Sequence, residues 1–355
     1  MFLAVFIISL ISAPSFIDHR LGAIKILDYE AHKPFQYRVF MPLLVNTLDV
    51  LIPQFVKDKL EKTIQPRIKF KADNCPDPEL KAKYVIASEN IVRIMIFCFF
   101  NLIFLWGFLL LIRKLLLYFN IFTPLWSSLC PICFIFIMPI FFEFPNYMYD
   151  FSHLFLFTAG LYLIYKQSWT AYIIVFALAI LNKESALMLT VIYVFIYYNK
   201  LDRSSFWKLL GWQLLLFIII KAVLFVVFYD NEGSVVEFHL MWNLRYLTTW
   251  SNLFRFEPLD GGFFLPFKVN VIYPRGTNLP LFIFVLFLAV YGWRNKPLVL
   301  RKSTIYFPLL IIMAITMGST PELRAYYDVL PILFLLCILG VMQIKDDLKR
   351  KITEG

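Results

Sequence analysis

From Ile91 to Ile112 the chain reads IVRIMIFCFFNLIFLWGFLLLI, with Arg93 as its one charge. A run of about 18 or more apolar residues has the helical length that crosses the hydrocarbon core of a bilayer, roughly 30 Å. Comparable apolar runs, some shorter, fall at 1–17, 121–142, 147–165, 169–181, 186–198, 205–228, 279–293, 304–317 and 328–342. Of the 355 residues 60% are hydrophobic and 16% charged, more apolar side chain than a soluble core can hide. The runs are continuous rather than alternating with a period of two, which argues against an outer-membrane barrel. The expected fold is all-α: a single integral-membrane domain over 1–355, a polytopic bundle of about ten membrane segments. The first run, MFLAVFIISLISAPSF, has no basic flank and reads as a short span in preference to a cleaved signal.

The formal net charge is +10, but Lys and Arg are scattered between apolar runs and form no single stripe, so no nucleic-acid partner is expected. The basic excess reads as topology. Arg113-Lys114, Lys166, Lys200 with Arg203, the stretch 294–302 and the stretch 345–351 fall to the cytoplasm by the positive-inside bias, and the C-terminus with them. The segments 18–90, 143–150, 182–185, 229–278 and 318–327 then face the extracytoplasmic side. Five cysteines give no disulfide framework, and Cys130-Pro-Ile-Cys133 reads as two buried thiols among apolar neighbours.

One continuous helix over 169–198 would be about 45 Å long and would put Lys166 and Lys200 on opposite sides. A short-armed hairpin resolves both conflicts. Its tip is Asn182-Lys183-Glu184-Ser185, below the outer lipid surface, where such residues need protein or a wet cavity around them. In the first outer loop, Leu43, Leu44, Leu48, Leu51, Ile52, Phe55, Val56 and Leu60 share one helical stripe, which reads as an amphipathic interfacial helix bent at Pro53. Residues 62–83 read as a polar loop. The aromatic-rich 229–278 loop reads as a cap on the outer face.

Four polar groups fall on that face. The first, ILDYEAHKPFQYRVFMP, carries Asp28, Glu30 and Arg38: either charges facing lipid headgroups, or a carboxylate base beside an arginine for a phosphate. In the second, Asp150 and His153 share a helix face and either pair with each other or serve the outer mouth. In the third, adjacent Lys183 and Glu184 point about 100° apart on a helix, so each needs another partner. For Lys183 this is a phosphate or a carboxylate such as Asp150 or Glu322. The fourth, MGSTPELRAYYDVLP, has Ser/Thr-Pro-Glu322 as helix-start chemistry, but that leaves Arg324 unexplained at the positive end of a helix dipole unless an anion is near. Cations with carboxylates at a membrane boundary suit a lipid-borne phosphate donor and a hydroxyl acceptor.

The LDYE segment after the first span, the amphipathic stretch that follows and the signatures FQYRVFMPLL, YDFSHLFLF, LNKESALML and PELRAYYDVLP resemble the GT-C superfamily of integral-membrane glycosyltransferases, as a divergent bacterial-type member. The resemblance implies inverting hexosyl or pentosyl transfer from a polyprenyl-phosphate-linked sugar to a hydroxyl of a lipid-linked glycan, polysaccharide or protein, on the extracytoplasmic face. Carried onto this chain, the base is Asp28 or Glu30. The donor phosphate falls to Arg38, Lys183 and Arg324, with Asp150, His153, Asn182, Glu184 and Glu322 in support. An acidic pair also offers oxygen ligands for Mg²⁺ or Mn²⁺ without specifying a metal. The rival readings are a surface-polysaccharide polymerase or ligase, and a lipid or glycan flippase built on the broken hairpin.

Overall fold

The computed structural model describes residues 20, 22–134, 147–259, 269–274 and 276–354. The first apolar run, 1–17, and residues 135–142 of the run 121–142 lie outside them. The described chain is almost entirely helical. Helices α1 (Ala23–Leu27) and α2 (Phe40–Leu51) lead to α3 (Gln54–Asp73), with Pro53 between α2 and α3 where the bend was expected. The stretch 62–83 is not a polar loop: it holds the end of α3 and much of α4 (Pro78–Glu89), with only residues 74–77 between them. Its Lys, Glu, Gln and Arg are good helix formers, so polarity there marks an exposed helix and not a loop.

The apolar helices follow. They are α5 (Ile91–Tyr118), α6 (Pro124–Leu129), α7 (Asp150–Lys166), α8 (Trp169–Asn182), α9 (Met188–Tyr197) and α10 (Arg203–Val227). After the second large loop, which holds α11 (Leu240–Thr248), α12 (Trp250–Leu253) and the antiparallel strands β1 (Phe256–Leu259) and β2 (Val269–Pro274), come α13 (Leu279–Val290), α14 (Leu298–Ser303), α15 (Phe307–Thr316) and α16 (Leu330–Glu354). Among the described residues four helical stretches are long and apolar enough to cross a membrane: Ile91–Tyr118, Arg203–Val227, Leu298–Thr316 and Tyr326–Glu354. The other apolar helices are shorter.

The core lies where α5, α7 and α8 pack side by side, on Leu105, Phe108, Leu109 and Ile112 of α5, Phe151, Leu154 and Leu161 of α7, and Phe176 and Ile180 of α8. By contrast α10 buries only Phe206, Gln213 and Leu224, and leaves Trp207, Trp212, Ile218 and Val226 uncovered. An apolar surface of that extent is costly in water and is satisfied by lipid. Helices α13 and α16 approach so closely at Gly340 that a Cβ there would stand 2.0 Å from the Leu288 carbonyl oxygen, so only glycine permits the contact.

The hairpin at 169–198 doubles back. The Trp169 ring stands edge-on to Tyr193 at 5.7 Å and to Tyr197 at 5.1 Å, bringing together the ends of α8 and α9 that lie away from the tip. At the turn Lys183 is extended (φ −161°, ψ 144°) and Glu184–Leu187 form one 3₁₀ turn. The chain breaks here because Asn182 spends its side chain on α7: its Oδ1 accepts from Ser152 Oγ at 2.7 Å and its Nδ2 donates to the Tyr149 carbonyl at 3.0 Å. Asp202 opens α10 as an N-cap, Oδ2 accepting from the Ser205 amide at 2.8 Å. Those contacts hold its carboxyl below the usual aspartate value.

Candidate functional site in a cavity at the hairpin tip

Four chain segments far apart in sequence enclose one cavity of about 650 Å³. They are the first loop (Arg20, Pro34, Phe35, Arg38), the start of α7 (Tyr147, Tyr149, Asp150), the tip (Lys183, Glu184, Ser185) and a wall from Val235 to Trp242 closed by α15 and residues 317–322. Asn243 builds that wall. It is fully buried, and its Nδ2 donates to the carbonyls of Ile315 and Gly318 at 2.8 Å each while its Oδ1 accepts from the Thr320 amide at 2.9 Å. An amide has the donors and acceptors to close a helix end and the turn after it, and no apolar residue does. The His239 amide adds a bond to the Thr316 carbonyl at 2.8 Å.

One corner of the cavity is cationic. The Arg38 guanidinium lies over the Tyr149 ring at 4.1 Å and within 5.4 Å of the Phe35 centroid, with its Nε 3.4 Å from Glu184 Oε2. That Nε makes no hydrogen bond, so the contact with Glu184 is an ion pair of poor hydrogen-bond geometry. Burial pulls the Arg38 pKa down, but Tyr149, Glu184 and Asp150 outweigh it and raise it, so the group is charged at any working pH. Glu184 also meets Lys221 of α10 at 3.5 Å, and is thus held between two cations. Lys183 differs from both. Among the described residues its ammonium makes neither a hydrogen bond nor an ion pair, although Glu184 and Asp328 both feel its charge, and the residue is half-buried on the cavity.

Beneath the tip, His153 and Asp328 are fully buried and joined through His153 Nε2 and an Asp328 carboxylate oxygen. Ser185 Oγ lies 3.3 Å from the same nitrogen, and Tyr306 Oη donates to the Asp328 carbonyl at 2.5 Å. His153 therefore does not pair with Asp150, its neighbour three residues before. The Asp150 Oδ2 instead accepts from the Tyr147 amide at 2.8 Å, turned back around the start of α7.

Of the residues singled out in the sequence, Arg38, Asp150, Lys183, Glu184 and Glu322 line the cavity, with Asn182 and His153 directly behind it. Asp28 and Glu30 are not among the lining residues. Asp28 is about two-fifths exposed and bound to Arg93 at 2.7 Å, and Glu30 is exposed. The backbone around them is clasped by the second loop. Tyr29 sits at φ 64°, its ring stacked on Phe228 at 6.1 Å, and Asn231 Nδ2 donates to the carbonyls of Tyr29 and Ala31 at 3.0 and 2.9 Å. Arg324 lies in the 3₁₀ stretch Leu323–Val329, and its side chain is outside the described ones.

The sequence reading passed over Lys221, Asp328, Arg20, Glu237, His239 and Trp242. For Lys221 a signal existed, because a lysine inside the apolar run 205–228 is costly unless it has a partner. Asp328, at the head of the apolar run 328–342, carried the same signal, and Trp242 belongs to the aromatic-rich loop, while Arg20, Glu237 and His239 had no comparable signal. Chemically, the cavity offers an anion two cations at one corner and offers hydroxyl groups several carboxylate acceptors elsewhere. Among the described residues no group of three or more His, Cys, Asp or Glu gathers as a metal site. No family model, no curated protein and no solved structure matches this chain.

Proposed function

We propose that this chain is a membrane glycosyltransferase of the GT-C kind, transferring a sugar with inversion from a polyprenyl-phosphate donor to a hydroxyl of a lipid-linked glycan, polysaccharide or protein on the extracytoplasmic face. The observation that carries the reading is the two-sided lining of one cavity. Arg38 and Lys183 offer an anion two cations, and Leu310 and Met313 of α15, with Met317 just past its end, supply an apolar wall. A ligand with a phosphate head and a hydrocarbon chain satisfies both sides, whereas a soluble anion leaves the apolar wall wet.

In this reading the acceptor oxygen attacks the anomeric carbon and its proton goes to a carboxylate. The bond from that carbon to the phosphate oxygen breaks, and the polyprenyl phosphate leaves with a charge that Arg38 and Lys183 stabilise as it develops. The resemblance assigns the base to Asp28 or Glu30, but the cavity lining favours Asp150. Asp150 follows the ring that carries Arg38, whereas Glu184 is held by two cations and is a poor base.

The test is product analysis with the full chain in lipid vesicles, given radiolabelled polyprenyl-phosphate sugars and a lipid-linked glycan acceptor. A new glycosidic bond supports the reading, and unchanged donor delivered to the other leaflet overturns it in favour of a flippase. General-base loss costs on the order of 10²–10⁴-fold in turnover. Asp150→Asn is expected to lose that much, with donor binding kept, while Asp28→Asn and Glu30→Gln keep most of theirs. The reverse pattern returns the base to the first loop.

A further inference from the structure

At the end of the bundle away from the hairpin tip, tyrosines tie four helices together. Tyr165 of α7 is the hub: its ring stacks on Tyr118 of α5 at 6.4 Å, its carbonyl accepts from Tyr118 Oη at 2.9 Å, and its own Oη lies 2.9 Å from Ser303 Oγ of α14. Tyr197 of α9 donates to the Ile164 carbonyl at 2.8 Å. Lysines stand over this network. Lys166 Nζ is 5.6 Å from the Tyr118 centroid, Lys200 Nζ 5.9 Å from that of Tyr197, and Lys114 Nζ 5.8 Å from that of Tyr162, one turn before Tyr165. Arg203 opens α10 next to Lys200, and Arg301 and Lys302 precede Ser303.

The tip and this end treat their cations differently. At the tip Arg38 and Lys221 share Glu184. Here Lys114, Lys166, Lys200, Arg203, Arg301 and Lys302 make no side-chain hydrogen bond and no ion pair among the described residues. The segments that carry them, 114–118, 162–169, 197–203 and 301–303, hold one carboxylate, Asp202, which caps the Ser205 amide. Beside the cations an apolar surface is uncovered: Phe195, Tyr198 and Trp207 are exposed, and Phe206 is buried edge-on against the rings of Tyr198 and Trp207.

We infer that this end of the bundle binds the phosphate headgroup of an anionic phospholipid, held by Lys166 and Lys200 over the tyrosine network, with acyl chains along Phe195, Tyr198 and Trp207. The inference is independent of the proposed glycosyl transfer. A cation leaning on a ring keeps its charge and its donors for an outside anion, since the ring supplies no acceptor atom of its own. Basic groups at helix ends and a belt of Tyr and Trp are what the headgroup layer of a leaflet meets, and each Lys or Arg there adds attraction for anionic lipid. A free phosphate uses the cations but leaves the aromatic surface bare.

The test titrates fluorescently tagged phosphatidylglycerol onto the full chain in a neutral detergent, with untagged phosphatidylglycerol, phosphatidylcholine and inorganic phosphate as competitors. Phosphatidylglycerol is expected to compete at least about tenfold better than phosphatidylcholine, and millimolar inorganic phosphate to displace little. The double variant Lys166→Gln with Lys200→Gln is expected to bind the tagged lipid about tenfold or more weaker, with its melting temperature close to the parent's. A control that removes two exposed lysines of the first loop, Lys69→Gln with Lys71→Gln, is expected to stay within about twofold. Equal competition by the two phospholipids, or equal losses in the two double variants, overturns the site. Displacement by inorganic phosphate overturns the lipid and leaves a free-phosphate site in its place.

Discussion

Lys183 and Lys296 are both lysines at the end of an apolar helix, and they meet opposite fates. Lys296 is 4% exposed, and its Nζ donates to three carbonyls, Leu288 at 3.1 Å, Ala289 at 2.6 Å and Leu336 at 2.7 Å. It ties the C-terminal end of α13 to α16 and has no donor left over, since an ammonium has three. Lys183, at the C-terminal end of α8, keeps all three side-chain donors unspent among the described residues, beside a cavity. The lesson is that burial alone does not mark a functional cation. What marks it is whether the protein itself has already satisfied the charge.

The sharpest way to break that comparison is to convert both lysines to methionine. Lys183→Met is expected to weaken polyprenyl-phosphate binding about 10–100-fold, the range of a charged hydrogen bond, while its melting temperature stays close to the parent's. A large fall in thermal stability with affinity intact would make Lys183 a structural cation and sink the phosphate site. Lys296→Met is expected to do the reverse. It strands three carbonyls at a cost of about 1–3 kcal/mol, read as a drop of several degrees in detergent, with lipid affinity unchanged.

The next effect is on pH. Burial pulls the Lys296 ammonium down to about 8 from its ordinary 10.5. Between those values the unfolded chain holds a proton that the folded chain has released, so stability rises with pH across that window, and below about 8 the cost of the buried charge is present in full. Melting curves taken across pH 8–10.5 are expected to climb for the parent and to flatten for Lys296→Met. A parent curve that falls across the window would show that the three carbonyls hold the charge in place against burial.

The smallest effect is expected in the first loop. Asp28→Asn breaks a part-exposed ion pair with Arg93, worth at most about 1 kcal/mol, and is expected to leave donor affinity alone. A loss of affinity comparable with that of Lys183→Met would show that the first loop reaches the ligand.

The break in the hairpin was legible because Asn182-Lys183-Glu184-Ser185 interrupts an apolar run whose flanking lysines, by the positive-inside bias, call for both ends on one side. The bend at Pro53 was legible because proline lacks the amide a helix needs. Residues 62–83 were misread because exposed helices and loops share a polar composition, and only the periodicity of straight-chain residues tells them apart. Asp28 and Asp150 looked alike as carboxylates beside apolar runs. What separates them is Arg93, 65 residues beyond Asp28, and the Tyr149 and Arg38 stack next to Asp150, and no local pattern announces either.

The sequence by itself determined that this chain is helical and apolar enough for a membrane, and where its helices yield to polar turns. Those properties arise from bonds and hydropathy within a few residues of one another. Only the tertiary structure decided which polar groups satisfy each other and which are left facing a cavity. His153 meets Asp328 across 175 residues, Glu184 is shared between Arg38 and Lys221, and Asn243 closes the end of α15 from another loop. The reason is physical: a buried polar group takes whichever partner the packing of remote helices brings within about 3 Å, and that choice is set by the fold as a whole.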